Sequence, residues 1–308
     1  MTIFETGYQI RFLAHPSSDI FFKDEVSQVM SAAIFQSDEG PVHLLVDWNA
    51  AVENYIMYSP AFYVPCKVQS HTDHIGPNDY YIEYFLHQVF LALNLSSPGC
   101  CTFYGTTIHR DDSPEVWKIS LNLNGYSGES YTLSSGDFWP AISSIPLSDT
   151  WNWLQLLNPH MQPIAQTRVE KALFAMLYVS KNNDLNPSRL IWLAHALEAL
   201  FDTPELGISK ALKSRIFLLL GKPVSHSEKI KKAINSFYKL RSSFVHGELD
   251  IAHPLGNSTP HQKIDELENR IMSEANLAIS IIWATLQLFV CNNWKEIEFS
   301  ESFVGHPF

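Results

Sequence analysis

Hydrophobic and polar positions alternate differently in the two halves of this 308-residue chain. In the first half the apolar runs are short and broken by turn residues. Residues 42–48 (VHLLVDW) and 61–65 (AFYVP) read as strands, the second demoted at its end to an edge or exit by Pro65, which cannot donate to a ladder. Residues 116–124 alternate over most of their length and stop at Gly125, the pattern of a half-buried strand. Ile82, Phe85, Leu86, Val89 and Phe90 recur at helical spacing and predict a helix over 80–95, ended by Ser96-Ser97-Pro98-Gly99.

Residues 145–163 carry Pro146, Pro159 and Pro163 around an apolar stretch, 151–157, that reads as a short helix docking the two halves. Beyond them the period becomes helical, with helices expected over 164–180, 188–202, 207–220, 226–246 and 263–293. Ser188 is placed to cap the second, and Ser225 with Glu228 forms a capping box for the fourth. On that fourth helix Ile230, Ala233, Ile234, Phe237 and Phe244 make an apolar stripe, Lys229, Lys232 and Lys239 face away, and Gly247 supplies the stop. The most hydrophobic segment, 277–291, is shorter than the roughly 20 residues a membrane span needs, and Ser280, Thr285 and Gln287 interrupt it. It reads as a bundle helix, so no membrane association is expected. The fold class is α+β: a mixed α/β domain over 1–150, then an all-α helical bundle over 163–300.

An apolar content of 46% suits an ordinary soluble protein. Cys66, Cys100, Cys101 and Cys291 form no CxxC framework, and no secretory pattern opens the chain, so reduced thiols and a cytoplasmic location are expected. A formal net charge of −11 argues against a protein that coats nucleic acid indiscriminately. Its distribution changes that picture. Between Gly207 and Arg241 lie nine Lys and Arg against the single acid Glu228, a net of +8, which leaves −19 for the remainder. A local basic strip fits a phosphate-rich ligand, and RNA is the expected partner.

The strip ends in Leu240-Arg241-Ser242-Ser243-Phe244-Val245-His246-Gly247. An arginine can clamp a phosphate through two N–H groups, and a histidine can move a proton near neutral pH. On a regular helix five positions rotate by about 500°, which leaves Arg241 and His246 roughly 140° apart. Either the helix ends near Val245 and lets His246 swing round, or two copies dock about a two-fold axis so that residues of both converge.

This run, with the upstream Leu190-Ile191-Trp192-Leu193-Ala194-His195-Ala196-Leu197-Glu198-Ala199-Leu200-Phe201, resembles the Apea-like branch of the HEPN superfamily over roughly 163–300. The defining pattern there is Arg, four to six residues, His, which Arg241 and His246 match. The resemblance implies a helical domain that pairs through the 226–246 helix. It also implies metal-independent cleavage of RNA with Arg241 and His246 as catalytic residues, and a role in stress or anti-phage defence. Glu198 and Ser242 support that site, Glu198 by orienting Arg241 or neutralising it. Ser242 stands where catalytic members often carry Asn, Asp or His. Lys229, Lys232 and Lys239 are the expected RNA contacts, no metal or cofactor is called for, and the N-terminal domain is cast as a sensor or substrate selector. The alternative is a non-catalytic RNA- or protein-binding dimer of the same fold.

Other chemistry is sparser. His71, Asp73 and His74 offer too few ligands for a zinc site by themselves, with Asp79 and His87 near in sequence only. Residues 109–112 (HRDD) read as a charged turn, and Asp184, Asp202 and Asp250 form no magnesium set. No glycine-rich phosphate loop and no serine or cysteine nucleophile motif occurs.

Overall fold

The computed structural model describes residues 3–13, 24–37, 40–50, 52–56, 59–71, 79–123, 126, 131–132, 138–157, 163–181, 186–205, 207–223, 226–253 and 262–300. The architecture is α+β, an antiparallel sheet followed by helices. It divides into two compact units. The first comprises 1–129, 142–164 and 177–186, and the second 130–141, 165–176 and 187–308.

The first unit is built on β1 (Phe4–Leu13), β2 (Ala32–Ser37), β3 (Gly40–Val46), β4 (Val52–Ile56), β5 (Ser59–Ser70), β6 (Thr106–Arg110) and β7 (Val116–Ile119). Their order is β2-β3-β5-β1-β6-β7, with β4 also on β5, and every pairing is antiparallel. Side chains alternate across the sheet. Tyr8, Ile10 and Phe12, Val42, Leu44 and Val46, and Val64, Cys66 and Val68 are buried on one face. Glu5 takes Lys67 at 2.6 Å and Gln69 at 2.7 Å on the other. The helices are α1 (Asp24–Val29), α2 (Asp79–Ser96) and α3 (Leu147–Leu157). The five apolar positions that predicted α2 are all buried. The helix meets the sheet through Phe35 against Tyr81 and Tyr84, and meets α3 through Phe85 against Trp151.

Two strand expectations need correction. Pro65 lies inside the twelve-residue β5, opposite Gln9 of β1. Its carbonyl accepts from Asp47 N–H at 3.0 Å, on the side where β3 has ended and β4 has not begun. A strand residue aims its N and O to the same side, so the missing N–H falls in that gap and breaks no ladder. The strand expected over 116–124 stops at Ile119, and Asn122 N–H bonds to Ser180 O instead of to a strand.

The second unit holds a two-residue ladder of β8 (Tyr131–Thr132) and β9 (Phe138–Trp139). Its helices are residues 168–176 of α4 (Arg168–Lys181), then α5 (Ser188–Leu200), α6 (Ile208–Leu220), α7 (Ser227–Val245) and α8 (Gln262–Asn292). All five helices fall where the periodicity put them. Their caps differ. A capping box does occur, at α4: Glu170 N–H donates to Thr167 Oγ1, and Glu170 Oε2 accepts from Thr167 N–H at 2.8 Å. The N-cap of α5 is Pro187 rather than Ser188, and that of α7 is His226, neither with a side-chain capping bond. Ser225 lies outside the described residues.

Ile230, Ile234, Phe237 and Leu240 of α7 are buried, while Ala233 and Phe244 are only half-buried. The stripe ends one turn before the helix does. α8 is long and apolar enough to cross a membrane, but its apolar window is 78% buried inside the fold, with Trp283 fully enclosed. That hydrophobicity serves the core.

Candidate functional site

The site begins with how α7 stops. Gly247 has φ +74, the left-handed conformation that costs glycine nothing. Gly247 N–H bonds to Phe244 O at 3.2 Å and Glu248 N–H to Ser243 O at 2.8 Å, which together make a Schellman motif. His246 is the C-cap, with φ −91 and ψ 4. Its N–H still bonds to Ser242 O at 3.0 Å, the i to i−4 bond of the helix. The helix ends at Val245 as one route to a single-chain site requires, but His246 keeps its helical place and does not swing round.

The angular consequence is definite. Taken at about 100° per residue, Lys232, Lys239 and His246 follow one another at heptad spacing within about 40° of arc. All three are exposed. Arg241 stands about 180° from Lys232, on the side of Ile234 and Phe237. It is half-buried, and its Nε is enclosed without a hydrogen-bond partner among the described residues.

Tyr238 lies beside Arg241 on the same helix, and Glu198 of α5 lies beside Tyr238. Glu198 Oε1 and Tyr238 Oη are likewise buried, neither in full hydrogen-bond geometry with any described residue. Burial pushes the Tyr238 phenol well above its usual range, and the charge and proximity of Glu198 push it further, against an opposing pull from Arg241. Tyr238 therefore sits beside both, in loose contact with the carboxylate. Glu198 also lines an open groove of about 250 Å³ with Arg168, Lys171, His195 and Asp202. The fold thus places Tyr238 near both Glu198 and Arg241, and helix geometry keeps Arg241 away from the face that carries His246. Ser242 is half-buried, and its carbonyl holds the His246 amide. Tyr238 had no role in the sequence reading, although its place three residues before Arg241 puts the two on one helix face.

The basic strip is partly engaged within the fold. Lys213 donates to Asn235 Oδ1 at 2.8 Å, and Lys231 pairs with Glu228 at 2.5 Å. Arg215 donates to Phe201 O at 2.8 Å, lies 3.9 Å from the Asp202 carboxylate and stacks over Phe299 at 4.7 Å. Lys210, Lys222, Lys232 and Lys239 are exposed, and Lys229 is half-buried. Past His246, Glu248, Asp250 and Glu266 line a groove of about 580 Å³ with Lys263 and Arg270. An anionic strand is therefore favoured toward Lys239 and Lys232, and disfavoured toward the acids beyond the helix end.

The remaining candidates lie elsewhere. Asp73 and His74 fall outside the described residues, and no cluster of three or more His, Cys, Asp or Glu among those described could hold a metal ion. His109 and Arg110 are strand residues of β6 rather than parts of a turn: His109 Nε2 contacts Thr107 Oγ1 at 2.8 Å, and Arg110 pairs with Asp112 at 2.5 Å. Asp202 pairs with Arg168 at 2.8 Å. Burial raises the Cys100 thiol to about 12 and holds Cys66 and Cys101 protonated as well.

No family model, curated protein or solved structure matches this chain.

Proposed function

We propose that the protein is a metal-independent endoribonuclease of the HEPN type that acts as a homodimer through α7. The observation that carries the reading is the division of labour along α7. His246 ends an exposed row begun by Lys232 and Lys239, while Arg241 stands on the other side of the helix beside Tyr238. The row supplies cations for successive phosphates and delivers the chain to an imidazole. In a two-fold pairing, Arg241 of one copy completes the site at His246 of the other.

The RNA 2′-OH is an internal nucleophile. Its oxygen forms a bond to phosphorus as the bond to the 5′-oxygen breaks. His246 takes the proton of the 2′-OH or returns one to the leaving oxygen, and Arg241 stabilises the charge that develops on the phosphorane. The products are a 2′,3′-cyclic phosphate and a 5′-hydroxyl. The test is incubation of wild type, His246→Ala and Arg241→Ala with RNA in EDTA. Cleavage by wild type alone, leaving cyclic phosphate ends and sparing a substrate with 2′-deoxy at the cleaved position, is the expected result. Cleavage of the deoxy substrate, or by both variants, removes the mechanism.

The opposite placement of Arg241 and His246 in one chain favours a second reading, an RNA-binding dimer without turnover. It predicts salt-sensitive RNA binding by a folded dimer that leaves all substrates intact.

A further inference from the structure

Three buried polar atoms of complementary chemistry lie on and around Tyr238, between α5 and α7. Glu198 Oε1 accepts, Arg241 Nε donates, and Tyr238 Oη can do either. Each lacks a partner in full hydrogen-bond geometry among the described residues. Buried polar atoms are rarely left so, because each one unsatisfied carries a desolvation cost. A closing of the Arg241 and Glu198 side chains about Tyr238 satisfies all three, with Tyr238 O–H and Arg241 Nε–H both donating to Glu198 Oε1.

We infer that Tyr238 is a positioning residue, whose hydroxyl holds the Glu198 carboxylate against Arg241 Nε so that the two Nη groups of the guanidinium are presented outward to a phosphate. The inference rests on the nuclease reading above. Tyr238 and Arg241 are three residues apart on one face of α7, and Glu198 comes from the neighbouring helix, so rigid elements fix all three. With Nε engaged inward, the remaining edge of the fork keeps the parallel N–H pair that matches a phosphate. The upward displacement of the Tyr238 phenol keeps its proton available for donation throughout the working pH range. The residue does not touch RNA. It acts through the aim of Arg241, so its loss affects the transition state more than binding.

The experiment uses the full chain and a single RNA that wild type cleaves. Tyr238→Phe removes one oxygen and keeps the ring, and Glu198→Gln removes the charge at the other end. Each is expected to lower kcat by roughly tenfold with KM and the affinity for a 2′-deoxy-blocked RNA unchanged. The double variant is expected to be no worse than either single one, because all act through one aim. Thermal midpoints recorded in parallel identify a variant that has lost its fold. Should Tyr238→Phe prove unfolded, Glu198→Gln carries the same expectation. Wild-type kcat in Tyr238→Phe, additive losses in the double variant, or a loss confined to KM overturns the inference and leaves the nuclease reading standing. Absence of cleavage by wild type overturns the nuclease reading and this inference with it.

Discussion

Lys239 and His246 share the exposed face of α7, one heptad apart and within about 20° of each other around its axis. The arginine nearer in sequence to His246 faces the other way, toward Tyr238. Under the proposed nuclease reading, this relation assigns phosphate tracking to the lysine face and charge stabilisation to Arg241 on the other side of the helix.

Charge reversal is the direct test of the outer face. Lys232→Glu and Lys239→Glu are each expected to weaken RNA binding across sequences, and to flatten the dependence of log affinity on log salt by roughly one contact each. Arg215→Ala provides the contrast. Its guanidinium is held by Phe201 O, Asp202 and Phe299, so RNA affinity stays level while stability falls by about 1–3 kcal/mol in urea titrations. Filter binding over a salt series checks both.

A site shared between copies has a subunit-mixing signature. Arg241→Ala and His246→Ala chains are each inactive alone. After mixing and exchange, half the dimers contain one intact composite site, and roughly a quarter of wild-type activity returns. A mixture as inactive as its components places both residues of a site on one chain, and activity in either variant alone shows that the substituted residue takes no part.

His87 makes the first unit sensitive to acid. Burial lowers its pKa from 6.5 to about 4, so the folded protein holds it neutral while the unfolded chain protonates it near 6.5. Its Nε2 lies 3.5 Å from Glu83, but at neutral pH the charged partner of Glu83 is Lys181, at 3.6 Å. The unfolded state binds the extra proton between the two pKa values, so stability contributed by neutral His87 is complete above 6.5 and is lost as pH falls toward 4. The loss is about 2 kcal/mol at pH 5. Urea unfolding of wild type and His87→Leu from pH 7.5 to 4.5 should show the variant with the shallower acid decline.

Leu240 and Phe244 lie one turn apart and differ in burial. Leu240 is fully enclosed, so Leu240→Ala is expected to cost about 2–5 kcal/mol. Phe244 is half-buried, and Phe244→Ala should cost clearly less in the same thermal or urea measurement. Equal costs would mean that the buried stripe runs to the end of α7.

Much of the fold was legible in the residues. Helical period located α2 and α4 to α8 within a few residues, because each helix has one apolar face and each face found a core. Gly247 announced its own left-handed stop, a property of a residue without Cβ. The basic strip and the Arg241–His246 spacing were equally plain, as was the roughly 140° between them, which follows from helix geometry alone.

What the chain could not show was which distant groups its faces meet. The apolar stripe put Arg241 on the inward side of α7, but the groups it meets there are settled by packing between helices distant in sequence. The approach of Glu198 to Tyr238 spans some forty residues and has no local signature. The diversion of Arg215 and Lys213 from the basic strip depends on Asp202 and Asn235 arriving beside them. Pro65 is tolerated deep in a sheet only because two neighbouring strands part opposite it. Local pattern located the helices, since those arise from backbone conformation and periodicity, but not every strand end or cap. Tertiary structure decided the site, since a site is a meeting of side chains whose partners no local window contains.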